Sequence, residues 1–176
     1  MKILLGPLVA AVCLAGQPAL AQHAPTRQKV KETVDIAAPA DKVWAVVGNF
    51  QDMGWTGIAA KTEGTGGNTV GAKRTLSVPG GTLDETLLRY NPEGKSYSYE
   101  LPSADYKVLP VSTYSSTITV TGEGDKSHVE WRGAFYRAFT KNDPPPDQND
   151  EAAVKAVTGL YQAALGNLKK KIEGGG

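Results

Sequence analysis

The order of its periodic segments is the feature of this chain that most limits the folds open to it. Apolar and polar residues alternate in a series of short segments, as they do in strands that bury one face. This pattern predicts strands over residues 30–36, 58–63, 71–78, 82–90, 95–101, 113–122 and 128–139. Two short helical segments, at 38–48 and 50–57, are predicted between the first two strands.

The end of the chain changes to a helical period. Apolar residues recur at helical spacing from Val154 to Ile172, and Asn149 or Asp150 is a suitable helix cap. An antiparallel sheet with one apolar face needs a cover, which this last helix can provide. The sequence therefore predicts an α+β fold, in which a curved antiparallel sheet of about seven strands wraps around a long C-terminal helix.

The first residues have the composition of a targeting segment. Lys2 is followed by an apolar run over residues 3–15 and by the small-residue site Ala19-Leu20-Ala21, the pattern of a secretory signal peptide. We therefore expect a periplasmic or secreted protein that is cleaved after Ala21 and has no membrane span after cleavage. The expected organisation is a signal peptide at 1–21, a flexible leader at 22–28, one folded domain at 29–173 and a tail at 174–176.

Charge and cysteine content exclude several classes of function. The 19 basic and 18 acidic residues nearly balance, so the chain lacks the positive charge that attracts nucleic acid. Its one cysteine, Cys13, falls inside the predicted signal peptide, and its two histidines, His23 and His128, have no second ligand at metal spacing. We expect no metal site and no cofactor, and the histidines offer no catalytic triad.

Several local phrases, taken with the order of elements, resemble a known family. The phrases lie at residues 38–44, 70–74, 84–87, 96–99 and 129–131. Together they are similar to the polyketide cyclase/dehydrase-like branch of the START/Bet v 1-like (SRPBCC) superfamily. The resemblance implies a helix-grip fold with a ligand cavity between sheet and helix. The signal peptide and the length are further similar to MxaD-like periplasmic accessory proteins of methanol oxidation. That similarity implies a methanol dehydrogenase and its cytochrome c acceptor as partners.

The inward faces of the predicted strands contain the candidate site residues. Aromatic walls with a few polar groups are the usual form of a small-molecule site, although inward aromatic residues often serve only packing. Phe50 and Trp55, in the second helical segment, are expected near the mouth. The candidate cavity residues are Trp55, Arg74, Glu85, Tyr97, Tyr99, Tyr114 and Trp131.

Arg74 and Glu85 are predicted on adjacent strands with both side chains directed inward. A buried charge is very costly unless it is paired, so the two residues are expected to form a structural ion pair. Alternatively, they form a polar floor that hydrogen-bonds a ligand. In a third interpretation, Glu85 has a raised pKa and acts as an acid or a base.

Two functions from different classes follow from these residues. The first is an exported, non-catalytic protein that binds a small apolar or amphipathic molecule or assists a periplasmic partner. The second is a polyketide cyclase- or dehydratase-like enzyme, in which Glu85, Arg74 and a tyrosine perform acid–base chemistry. The export signal argues against the enzyme, because such substrates are usually made inside the cell. The first function is therefore preferred, with no catalytic residue assigned.

Overall fold

The computed structural model describes residues 24–174 of the chain. The predicted signal peptide at 1–21 lies outside the described residues, as do residues 22–23 of the leader and 175–176 of the tail. The elements are β1 (Gln28–Ile36), α1 (Ala40–Val47), a 3-10 turn (Gly54–Thr56), β2 (Lys61–Thr65), β3 (Lys73–Val78), β4 (Gly81–Asn91), β5 (Ser96–Ser103), β6 (Val111–Glu123), β7 (Lys126–Arg137) and α2 (Asp150–Glu173).

All the strands belong to one antiparallel sheet of seven strands, in the order β1-β7-β6-β5-β4-β3-β2. Short connections join β2 to β7 in sequence, and β1 pairs with β7 because the two helical segments carry the chain to the far edge. The predicted fold, a curved sheet of seven strands around one long helix, is confirmed.

Helix α2 covers the apolar face of the sheet. Its cap is Asn149, whose side chain accepts a hydrogen bond from the Ala152 backbone N–H at 2.7 Å. Most apolar positions of the predicted stripe are buried, including Val157, Tyr161 and Leu168, whereas Val154 and Leu160 are partly exposed. The helix thus covers the core along its length, and the inward faces of helix and sheet meet in the region between them.

The first part of β6 contains an irregularity that the alternating pattern does not reveal. Ser112 pairs with Tyr136 and Ser115 with Ala134, so two residues, Thr113 and Tyr114, lie opposite Phe135 alone. Thr113 has a φ of 48°, which is rare for a residue that is not glycine. This bulge shifts the alternation by one residue and leaves Tyr114 buried, with Ser116, Ile118 and Val120 following on the same face.

The segment before β2 differs from the prediction. A strand was expected over 58–63, whereas β2 spans Lys61–Thr65. The cause is the 3-10 turn, which ends at Gly57 with a left-handed φ of 66°. Asn167 on α2 donates a hydrogen bond from Nδ2 to the Thr56 carbonyl at 2.7 Å. Residues 57–60 are therefore a loop held against α2, and this loop forms one side of the cavity described below.

Candidate functional site

A small cavity lies between the sheet, α2 and the loop after the 3-10 turn. Its volume is about 40 Å³, close to the roughly 30 Å³ that a water molecule occupies in the liquid. Drug-sized ligands need roughly 300–1,000 Å³, so the cavity is narrow in this conformation. Its lining is mostly apolar: Met53, Thr56, Ile58, Ala59, Leu76, Val78, Leu83, Glu85, Tyr99, Leu101, Leu109, Tyr114, Trp131 and Leu160.

The rim of the cavity is apolar and partly exposed. Ile58 and Ala59 come from the loop, Val78 from the end of β3 and Leu160 from α2, and all four are partly accessible to solvent. Deeper in the lining, five buried residues have groups that can hydrogen-bond: Thr56, Glu85, Tyr99, Tyr114 and Trp131. The Thr56 hydroxyl donates to the Met53 carbonyl and accepts from the Ile58 N–H, and the Trp131 indole N–H donates to Ser116 Oγ, so the hydrogens of these two are already used. The arrangement is an apolar passage that leads to a few polar groups.

Arg74 and Glu85 form the charged cluster of the interior. The Arg74 Nε donates to Glu85 Oε2 at 2.6 Å, and its Nη1 donates to the Phe50 carbonyl at 2.6 Å. Both side chains are buried. The guanidinium lies over the Phe50 ring at 4.1 Å and the Tyr99 ring at 4.8 Å from their centres. The expected structural pair is therefore present, and only Glu85 of the two residues also lines the cavity.

The surroundings of this pair shift its pKa values. Burial raises the pKa of the Glu85 carboxyl above its ordinary value, while the Arg74 guanidinium acts in the opposite direction. For Arg74, burial is the largest single effect and lowers the pKa, but Glu85, Tyr97 and Tyr99 together outweigh it and leave the pKa raised. The arginine is thus held in its charged form. One of its donors, Nη2, has no hydrogen-bond partner among the described residues.

Tyr114, Ser116, Trp131 and Tyr161 form a second, uncharged group, the tyrosine cluster. The Tyr114 and Tyr161 hydroxyls lie 2.6 Å apart, and the Tyr161 hydroxyl lies 2.9 Å from Ser116 Oγ. Trp131 donates from Nε1 to the same Ser116 Oγ at 2.7 Å, and its ring stacks on Tyr161 with 4.4 Å between the ring centres. Burial raises the pKa of both tyrosines, so their hydroxyls stay protonated.

Four of the seven predicted cavity residues line the cavity: Glu85, Tyr99, Tyr114 and Trp131. Arg74, Tyr97 and Trp55 lie behind this lining. Tyr97 is buried against the Phe50 ring, at 6.1 Å between ring centres. The structure shows all three in the same core, but it does not place them at the cavity surface.

The prediction that Phe50 and Trp55 lie near the mouth is wrong. Phe50 is fully buried beneath the Arg74 guanidinium, and Trp55 is 2% exposed and packs on Trp131 with 5.6 Å between ring centres. The reason is the tight turn between α1 and β2, which folds these apolar side chains under α2 instead of leaving them at the rim. Ile58 and Ala59 occupy the rim position.

Sequence reasoning missed Tyr161 and Ser116 as members of the site. From the sequence, Tyr161 is interpreted only as part of the apolar stripe of α2, and Ser116 only as an inward position of β6. A signal was present in both cases, because a hydroxyl directed into a core must find a partner. The two residues are 45 positions apart, and their contact depends on how α2 rests on the sheet.

Among residues 24–174, no three side chains of the metal-ligating types come together. None of the helices within that range has the length and apolar character needed to cross a membrane.

Comparison with known proteins assigns the chain to a family. A family model described as polyketide cyclase / dehydrase and lipid transport matches residues 27–173, nearly all of the described chain. The chain belongs to this polyketide cyclase/dehydrase and lipid transport family. No curated protein matches the sequence significantly.

Solved structures with the Bet v 1-like, helix-grip fold of this family are similar to the chain. The protein XoxI from Bacillus cereus is 28% identical, with a TM-score of 0.68 over 82% of this chain and 95% of that one. An uncharacterized protein from Bacillus thuringiensis is also 28% identical, with a TM-score of 0.69 over 83% and 99%. Norcoclaurine synthase from Thalictrum flavum, solved with dopamine and hydroxybenzaldehyde, is 19% identical, with a TM-score of 0.60 over 94% and 98%. The last likeness concerns the fold alone.

Proposed function

We propose that this member of the polyketide cyclase/dehydrase and lipid transport family is a non-catalytic binding protein for a small apolar or amphipathic molecule. The observation that carries the proposal is the cavity, in which an apolar rim of Ile58, Ala59, Val78 and Leu160 leads to the polar groups of Glu85, Tyr99 and Tyr114. An amphipathic molecule would bury its apolar part against the rim and its polar part against those groups.

The volume of about 40 Å³ requires the cavity to widen when a ligand binds. The loop at 57–60 is the part of the rim without regular secondary structure, and its backbone is tied by the Ile58 N–H bond to Thr56 Oγ1 at 3.2 Å and the Ala60 N–H bond to the Ser77 carbonyl at 2.8 Å. We propose that this loop moves outward with Ile58 and Ala59. The ligand then replaces rim side chains as the cover of Tyr99 and Tyr114.

The site geometry does not favour the enzyme alternative. An acid–base pair must reach a substrate, whereas Arg74 lies behind the cavity lining and one oxygen of Glu85 is held by Arg74 at 2.6 Å. Glu85 therefore serves first as the counter-charge of a buried arginine. We assign it a binding role at the cavity and no catalytic step.

Native mass spectrometry of the protein recovered from its own host tests the binding function. A retained small molecule, lost on denaturation, is the expected result, with a change in tryptophan fluorescence on rebinding because Trp131 lines the cavity. Ala59→Phe narrows the rim and should abolish retention. The matched control is Ala134→Phe, which lies on the other face of the sheet, and it should retain the molecule. Equal retention by both variants would contradict binding at this cavity.

We also propose that the protein is exported and acts in the periplasm, on the basis of the signal-peptide pattern at 1–21. The similarity to MxaD-like proteins further suggests a methanol dehydrogenase and its cytochrome c acceptor as partners. Fractionation of the host should recover a chain that begins at Gln22. A gene deletion should slow methanol-dependent growth and electron transfer from the dehydrogenase to the cytochrome. Unchanged growth and transfer would remove the methanol proposal and leave the binding function standing.

A further inference from the structure

The tyrosine cluster has fixed ends that set the direction of its hydrogen bonds. The indole N–H of Trp131 can only donate, and it donates to Ser116 Oγ at 2.7 Å. At the other end, a backbone carbonyl can only accept, and the Arg132 carbonyl accepts from Ser116 Oγ at 3.0 Å. Ser116 has a single hydroxyl hydrogen, and this hydrogen is used in the bond to Arg132.

The direction of the two remaining bonds follows. Because the Ser116 hydrogen points to Arg132, the contact of 2.9 Å between Tyr161 and Ser116 must be donated by the Tyr161 hydroxyl. The hydrogen of Tyr161 is then used, so the contact of 2.6 Å between the two tyrosines must be donated by Tyr114. The Tyr114 hydrogen thus points away from the cavity, and only the lone pairs of its oxygen remain for a ligand.

The other polar groups at the cavity also favour a ligand that donates a hydrogen bond. Glu85 accepts from Arg74 through Oε2, and its second oxygen has no hydrogen-bond donor among the described residues. The hydroxyl of Tyr99 forms no hydrogen bond to any residue within 24–174, so it can donate or accept. Arg74, the cation nearest the cavity, has 0% of its side chain exposed and lies behind Glu85. The hydrogens of Thr56 and Trp131 are used in bonds to Met53 and Ser116. The lining therefore offers acceptors at Glu85 and Tyr114, one hydroxyl of either role at Tyr99, and no positive charge among its own residues.

We propose that the cavity selects amphipathic molecules whose polar end is a hydroxyl group. A hydroxyl donates to Tyr114 or Glu85 and accepts from Tyr99, whereas an ether can only accept. A carboxylate can only accept as well, and its charge would meet that of Glu85 without a free cation. This inference rests on the proposed binding function and specifies the class of ligand. Tyr161 acts on this selection as a positioning residue, because it holds the Tyr114 hydrogen away from the ligand.

Isothermal titration calorimetry of the folded chain with three probes of similar length tests the selection. Hexan-1-ol and methyl pentyl ether are isomers that differ in the hydroxyl hydrogen, and hexanoate carries the charge. We expect hexan-1-ol to bind about fivefold more tightly than the ether, the effect of one hydrogen bond. Hexanoate should bind more weakly than either probe.

Two conservative variants separate the acceptor from the residue that orients it. Tyr114→Phe removes the acceptor, so the affinity for hexan-1-ol should fall about fivefold while that for the ether stays unchanged. Tyr161→Phe frees the Tyr114 hydrogen to donate into the cavity, so the ether should gain affinity and the preference for hexan-1-ol should narrow, with Glu85 remaining as an acceptor for the alcohol. Tyr136→Phe is the control, because Tyr136 lies on β7 away from the cavity lining, and it should keep the wild-type preference.

The outcomes distinguish this inference from the binding function itself. If none of the three probes shows saturable binding to the wild type, the binding function and this inference are both overturned. If the alcohol and the ether bind equally, or if hexanoate binds best, the inference fails and the binding function stands. A preference of unchanged size in Tyr161→Phe would overturn the assigned direction of the hydrogen bonds.

Discussion

The charged cluster and the tyrosine cluster both stabilise polar side chains in the core, but they do so through different interactions. Each brings polar groups into the core beside the cavity. The charged cluster does so with an ion pair and ring contacts, and it leaves Arg74 Nη2 without a partner among the described residues. The tyrosine cluster joins four uncharged side chains in one directed series of hydrogen bonds. The first arrangement depends on mutual charge compensation, whereas the second depends on the order of donors and acceptors.

The largest expected effect comes from removing one charge of the pair. Glu85→Leu leaves the Arg74 guanidinium buried without a counter-charge, so we expect the free energy of unfolding to fall by about 3–5 kcal/mol. Urea denaturation followed by circular dichroism measures this change. Glu85→Gln, which keeps an oxygen acceptor for Arg74 Nε, should cost less than Glu85→Leu.

A double variant isolates the charge from the loss of packing. Arg74→Met combined with Glu85→Leu replaces both partners by apolar side chains, and we expect it to recover most of the stability lost in Glu85→Leu alone. A double variant as unstable as the sum of the two single changes would show that packing, and not charge compensation, dominates the charged cluster.

The next effect concerns the space occupied by the tyrosine cluster. Gly133 lies beneath Tyr161, and a Cβ atom added at this glycine would clash with the Tyr161 hydroxyl and approach Tyr114 Cε2 to 3.3 Å. We therefore expect Gly133→Ala to lower the free energy of unfolding by about 2 kcal/mol. Gly159→Ala, at an open position of α2, is the control and should raise stability by about 0.5–1 kcal/mol. Equal effects would refute the close approach.

A smaller effect compares one hydroxyl from each side of the core. Tyr161→Phe leaves Tyr114 and Ser116 with one partner fewer, so we expect a loss of about 1–2 kcal/mol. The Tyr97 hydroxyl, beside the charged cluster, donates to the Met53 sulfur at 4.0 Å, and a thioether sulfur is a weak acceptor. Tyr97→Phe should therefore cost about 0.5 kcal/mol or less. Urea denaturation of the two variants measures both losses of stability. A larger loss for Tyr97→Phe than for Tyr161→Phe would contradict the expected order.

The charged cluster was accessible to sequence reasoning, because strand alternation and a short turn determine it. Residues 79 and 80 form a tight connection, and the register then places Arg74 directly opposite Glu85 on the inward face. Alternation likewise identified Tyr97, Tyr99 and Trp131 as inward residues. These relations depend on neighbouring strands alone, for which a period of two residues is sufficient.

The tyrosine cluster and the rim depend on contacts that no periodicity specifies. Tyr161 reaches Ser116 through the placement of α2, and Tyr114 reaches Tyr161 because a bulge at Thr113 shifts its strand. The loop at 57–60, which forms part of the rim, has no regular pattern of apolar residues. The sequence therefore does not indicate that the 3-10 turn before this loop buries Trp55 in the core. Sequence analysis could predict the fold and the inward faces, but not which inward residues meet a cavity.

The smallest expected effect comes from a charge at the protein surface, which can be compared with the buried Arg74–Glu85 pair. Glu173, at the end of α2, accepts a hydrogen bond from the Ala37 backbone N–H at 2.8 Å and lies 3.2 Å from Lys169 Nζ. The backbone N–H is the main cause that lowers the pKa of its carboxyl below the ordinary 4.5. A lowered pKa adds stability that is fully present above pH 4.5 and is lost as the pH falls through the folded-state value. Glu173→Gln should therefore be slightly less stable than the wild type at neutral pH, and the difference in urea midpoint should vanish in acid. A difference that grows in acid would reverse the sign of this contribution.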